Sequence, residues 1–181
     1  MIDVADKPST VTPSTGTPVM SQEGTRADSP WLRLSPDPEV VRLARDHVLE
    51  VLAENDVEGI AEDIRLIVSE LVTNAMRAAQ RYASAGGTAW ASYERPVSLR
   101  VICRPLWVHL IVTDPDPVTP ASAPADLLDE SGRGLSIVDS IAALQWWVKG
   151  DHGKACHVVV THEQVTLKPE EAEMLRERVI L

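Results

Sequence analysis

Several familiar features are missing from this chain, and each absence narrows what it does. No apolar run approaches the roughly 20 residues that a membrane-spanning helix needs. The N-terminus lacks the basic-then-apolar pattern of a secretory signal. Cysteine is scarce: Cys103 and Cys156 stand alone, with no Cys-x-x-Cys spacing to hold a metal. Both sit inside apolar strand-like runs and read as reduced, buried thiols. Basic residues are few, 17 Lys and Arg against 27 Asp and Glu, and the net charge of -10 runs against a nucleic-acid-binding surface. A basic protein partner remains compatible with that charge. These absences predict a soluble, cytoplasmic protein with no direct contact to nucleic acid or membrane.

Two phosphate-binding signatures are also incomplete. Gly132-Arg133-Gly134 lacks the third glycine of a dinucleotide fingerprint. Gly150-Asp151-His152-Gly153-Lys154-Ala155 has the wrong glycine spacing for a P-loop, with Ala where Ser or Thr belongs.

What is present organises into one domain with tails, since 181 residues at 44% apolar content are enough to bury a sizeable core. Residues 1–30 are rich in Ser, Thr, Pro, Asp and Gly and read as a disordered leader, because they bury too little surface to offset their ordering entropy. Residues 31–161 read as the domain, and residues 162–181 as a tail with a short helix from Lys168, whose apolar face is Ala172, Leu175 and Val179.

The centre of the domain is residues 60–80. Ile60, Ile64, Ile67, Val68, Leu71, Val72, Ala75, Met76 and Ala79 recur at helical spacing with no Gly or Pro among them. Turning about 100° per residue, Glu70, Asn74, Arg77 and Arg81 fall on one polar stripe at the rim of that apolar face. Glu70 offers a carboxylate that accepts a proton, and Asn74 a neutral oxygen suited to a hard cation such as Mg²⁺. An amphipathic helix with a solvated edge of weak surface pairs accounts for the same pattern when the helix stands alone.

Around it, residues 31–34 alternate as a short strand. Asp37 and Pro38 open a helix that runs to about Asn55. Gly86-Gly87 ends the long helix, and residues 90–93, 97–103 and 106–113 read as strands, the last two as a hairpin. His109 lies mid-strand and reads as a wall residue. Residues 114–131 carry Pro115, Pro117, Pro120 and Pro124, which forbid regular structure and predict a lid. Gly132-Arg133-Gly134-Leu135 then opens an apolar helix to about Leu144, a start where backbone N–H groups favour phosphate. Residues 145–149 and 155–161 pair as a second hairpin. His152, His157 and His162 are too dispersed for a metal set.

The sequence of Glu-Leu-Val-Thr-Asn on a long helix, a hairpin ending in Asp114, a Pro-rich loop, Gly-Arg-Gly-Leu and a Gly-Lys pair before the last strand resembles the GHKL ATPase superfamily. Within it, the chain resembles the bacterial anti-sigma-factor-type serine/threonine kinases. The resemblance implies an α/β two-layer sandwich, a mixed and mostly antiparallel sheet with helices on one face. It implies ATP and Mg²⁺ as cofactors, with Asn74 on the metal, Glu70 as catalytic base and Asp114 on the adenine amino group. Gly132, Arg133, Gly134 and Leu135 would cradle phosphate, with Arg77 and Lys154 completing the nucleotide site.

The chain departs from that pattern on the adenine side. Asp114-Pro115-Asp116-Pro117 lacks the family's glycines, and Ala155 stands where Ser or Thr often follows Gly-Lys. Two readings follow. One is a kinase that phosphorylates an anti-anti-sigma-type partner; the other is a catalytically weak or nucleotide-independent module that sequesters a sigma factor or another regulator. A homodimer is compatible with both.

Overall fold

The computed structural model describes residues 27–57, 59–86, 97–119, 130–162 and 165–177. Two strands come first, β1 (Ala27–Asp28) and β2 (Leu32–Leu34), then helices α1 (Val40–Glu54) and α2 (Ala61–Ser84). The hairpin β3 (Val97–Arg104) and β4 (Trp107–Asp114) follows. Helix α3 (Glu130–Ile141), the hairpin β5 (Leu144–Gly150) and β6 (Gly153–Thr161), and helix α4 (Pro169–Glu177) complete the chain.

α2 forms where the apolar period is strongest and runs four residues beyond the periodic stretch. Glu62 and Asp63 in its first turn complement the helix dipole. Its end is a glycine cap: Gly86 takes φ +85° while its N–H donates to the Ala83 carbonyl at 3.2 Å. α1 begins after a turn in which Asp37 Oδ1 accepts the Glu39 N–H at 2.7 Å. The two helices bury facing stripes, Ala44, Val48 and Leu52 on α1 against Ile64, Val68, Leu71 and Val72 on α2. Each fully buried aliphatic side chain contributes roughly 1.5–3 kcal/mol. Many such contacts fix the rotation of α2, and with it the direction in which the polar stripe points.

The sheet runs β1-β3-β4-β6-β5, with β2 also pairing with β3 on the same edge as β1. Every described pairing is antiparallel, in line with the mixed, mostly antiparallel sheet that was expected. Strand period 2 sorts the side chains cleanly. Val97, Leu99, Val101 and Cys103 of β3, Val108, Leu110 and Val112 of β4, and Cys156, Val158 and Val160 of β6 join the core under the helices. The two-layer sandwich, with α1, α2 and α3 on one face, is therefore as expected.

Four boundaries shift. Ala27–Asp28, read from sequence as leader, pairs with β3, and buried Ser29 exchanges bonds with Val101, donating its N–H at 2.9 Å and accepting at its hydroxyl at 3.0 Å. α3 starts at Glu130 and stops at Ile141, so Leu144 belongs to a strand. The long loop accordingly ends before Glu130. The strand expected at 90–93, most of the lid and residues 178–181 lie outside the described residues.

The opposite face of the sheet is not solvated at its centre. His109 and His157 are fully buried there, Nε2 of the first 3.1 Å from Nδ1 of the second, and Trp146 stacks on His157 at 4.9 Å. Burial pushes both imidazoles down, His109 to about 3 and His157 to about 4, with the nearby Arg104 and Arg100 adding to the effect on His109. Both are neutral wall residues at pH 7.

Candidate active site

The site is built at the rim where α2, α3 and the ends of β4 and β6 meet. Along α2, Glu70 and Asn74 are one turn apart and half-buried, and Arg77 and Arg81 continue the stripe as exposed residues. Arg77, Gln80, Arg81, Ser84 and Ala85 line an open recess of about 580 Å³. Arg81 also reaches across toward Asp116, its Nη2 4.0 Å from Oδ2, a weak pair given the exposure of the arginine.

Gly134 brings α3 onto this stripe. A Cβ placed on it would overlap Glu70 Oε2 and approach Asn74 Nδ2 to 3.7 Å. A bare Cα leaves room at this point for the Glu70 carboxylate between the two helices. The Gly132–Leu135 run thus lies within the first two turns of α3 rather than opening the helix. Gly132 and Arg133 are in its first turn, where backbone N–H groups lack intrahelical partners. Leu135 is half-buried one position beyond Gly134.

Asn74 carries the clearest sign of a missing partner. Its Nδ2 is buried and has no hydrogen-bond acceptor among the described residues, a state that costs about 1–3 kcal/mol unless something fills it. A phosphate oxygen would satisfy the nitrogen. Turned over, the amide would offer its oxygen to a hard cation. The donor set at Glu70, Asn74 and Gly134 therefore fits a Mg²⁺-phosphate group.

The other end of the site is organised by register. β4 and β6 pair so that Asp114 stands directly opposite Lys154, both on the helix-facing side. Lys154 Nζ donates to Asp114 Oδ1 at 2.8 Å and to the Asp116 carbonyl at 2.7 Å, with the two side chains 3% and 4% exposed. Asp114 Oδ1 also accepts the Asp116 N–H at 3.0 Å, and Asp116 Oδ1 accepts the Val118 N–H at 3.0 Å. Burial pushes the Asp114 carboxyl up to about 6, against the pull of Lys154.

Gly153 makes this packing possible. It sits at φ +132°, and a side chain there would run into the Asp114 carbonyl and Pro115. Asp114, Pro115 and Asp116 are consequently buried and pinned, and only the residues after them extend toward solvent. Asp114, Pro115 and Asp116, the start of the loop expected to form a lid, are packed into the site. Lys154, expected as a nucleotide ligand, points its ammonium inward at Asp114. Sequence reasoning missed this pair because its signal is a cross-strand register between segments about 40 residues apart. Asp116 was missed with it.

A family profile described as the histidine kinase-like ATPase domain matches residues 34–161. The chain belongs to this family. The match covers α1 through β6 and so every residue of the site just described. Membership makes this an ATP-binding domain of the GHKL type, in agreement with the order of its motifs. No curated protein matches the chain in a sequence comparison. Among the described residues, no helix is long and apolar enough to cross a membrane.

Proposed function

We propose that this domain is an ATP-dependent serine/threonine protein kinase of the anti-sigma type, acting on an anti-anti-sigma-type protein. The observation that carries the reading is Glu70 and Asn74, one turn apart on α2 and both closed on by Gly134. Phosphoryl transfer needs positioning, charge stabilisation and a proton acceptor more than covalent chemistry. Glu70 accepts the proton of an incoming serine hydroxyl. Asn74 would hold Mg²⁺, which would supply neutralisation of the charge that develops on the phosphates. The first turn of α3, with Gly132 and Arg133, contributes N–H groups to phosphate. Arg77 on the open side of the stripe adds positive charge, and Asp114 accepts from the base.

A second reading is favoured by one specific feature, the buried Asp114–Lys154 pair flanked by Pro115 and Pro117. A base end whose carboxylate is already ion-paired suits a domain that captures a sigma factor or similar regulator without turnover. The deciding experiment incubates the protein with Mg·ATP labelled at the γ-phosphate and candidate anti-anti-sigma proteins. Label on a partner serine supports the kinase. Tight partner binding with no label transferred overturns it in favour of sequestration.

A further inference from the structure

We infer that Lys154 is a specificity-determining residue: by occupying one oxygen of Asp114, it keeps the other as an ionised acceptor that selects a base bearing an exocyclic amino group. The inference rests on the reading that this cleft binds a nucleoside triphosphate and deepens it.

The geometry gives the two oxygens of Asp114 different tasks. Oδ1 takes the Lys154 ammonium at 2.8 Å and the Asp116 N–H at 3.0 Å. Oδ2 has no donor among the described residues. A carboxylate so held can only accept, so an amino group at the purine 6-position is welcome and a carbonyl there is repelled. A protonated Asp114 reverses this, because it presents an O–H that donates to a carbonyl. Burial drives the carboxyl toward that protonated form; Lys154 is the largest influence opposing it, and the Asp116 N–H adds to its pull.

The groups facing Asp114 are few. Lys154 comes from β6, and Asp116 from the loop after β4, its Oδ2 4.0 Å from the ammonium. Cys156, the next inward-facing residue of β6, is held as a neutral thiol, pushed up to about 12 by burial. α2 contributes Arg81, which reaches Asp116 and not Asp114. Lys149 on β5 stands opposite Lys154 but is exposed. Lys154 is the only described cation in contact with the carboxylate.

The test compares Mg·ATP with Mg·ITP, which carries a carbonyl in place of the amino group, by calorimetric titration from pH 5.5 to 8.5. Wild type should prefer ATP by about 10- to 100-fold at pH 8, the cost of leaving a buried polar group mispaired, and the preference should shrink toward pH 5.5. Lys154→Met should lose most of the preference at pH 7 and regain it at higher pH, while Lys154→Arg retains it. A purely structural lysine would alter both affinities together and leave the pH profile of their ratio unmoved. That result overturns the inference. Should Lys154→Met fail to fold, the wild-type pH series decides alone: a ratio flat from pH 5.5 to 8.5 is equally fatal. If wild type binds ATP with no preference over ITP, this inference falls and the nucleotide reading stands. If wild type binds neither nucleotide at millimolar concentration, both fall.

Discussion

At the base end of the cleft, a carboxylate and an ammonium are buried and bonded to each other, held by the register of two strands and by a glycine whose place a side chain would contest. At the phosphate end, Glu70 and Asn74 stand on a single helix, and a buried amide nitrogen has nothing to accept its hydrogen. One end has its ion pair formed without ligand and keeps a single carboxylate oxygen open; the other leaves a buried amide unsatisfied. The contrast teaches where to expect structure and where to expect chemistry. Substitutions at the base end should register first as stability, and substitutions at the phosphate end first as binding and turnover.

The largest effect should come from Glu70→Gln, which keeps the shape of the side chain and removes its basicity. Phosphotransfer to the cognate partner should fall by about 10²–10⁴-fold, with ATP affinity and melting temperature nearly unchanged. Full activity in a single-turnover assay would place the base elsewhere and dissolve the contrast.

Next is Lys154→Met, which strips the partner from a buried carboxylate. Denaturant titration at pH 8 should show a loss of about 3–5 kcal/mol. The sign with pH follows from Asp114. Its folded value of about 6 lies above the ordinary 3.8, so the folded state binds the proton more readily and ionisation costs stability as pH rises through that window. Without Lys154 the shift grows, and the deficit should narrow as pH is lowered toward 5. A deficit independent of pH would mean that packing, not charge, holds this end together.

The two glycines sharpen the contrast further. Gly153→Ala forces an unfavourable φ against fixed backbone, and should cost about 1–3 kcal/mol or more. Gly134→Ala meets only the mobile end of Glu70 and gains helix propensity of up to about 1 kcal/mol. Its melting temperature should hold while phosphotransfer drops, because Glu70 must swing aside. Equal thermal losses in the two variants would contradict the division.

The smallest change in the free protein should be that of Asn74→Ala. Removing an unpaired buried amide offsets the packing lost, and stability should move by less than about 1 kcal/mol. The same variant should lose the Mg²⁺-dependent part of the thermal shift produced by ATP, a shift that arises by mass action in the wild type.

These differences also explain what could be read from the chain in advance. The phosphate end was legible because it lies on one helix, where a period of 3.6 places Glu70 beside Asn74 without knowledge of anything else. The base end was legible only as isolated letters. Asp114 and Lys154 meet through the pairing of β4 with β6, and α3 and β5 intervene between those strands. β1 was invisible because two residues in a Ser- and Pro-rich stretch carry no period, and their pairing is imposed by the edge of β3.

That edge has a consequence for life at high concentration. An open β-edge is a template on which further chains can add. Among the described residues the outermost row is two short pieces, β1 and β2, parted by Pro30, which has no N–H to offer. Ser29 spends its own N–H and its hydroxyl inward on Val101, and Arg33 places a charge on the outer piece. A strand arriving from another molecule would find the ladder interrupted at its middle, so growth of a shared sheet is discouraged on this side.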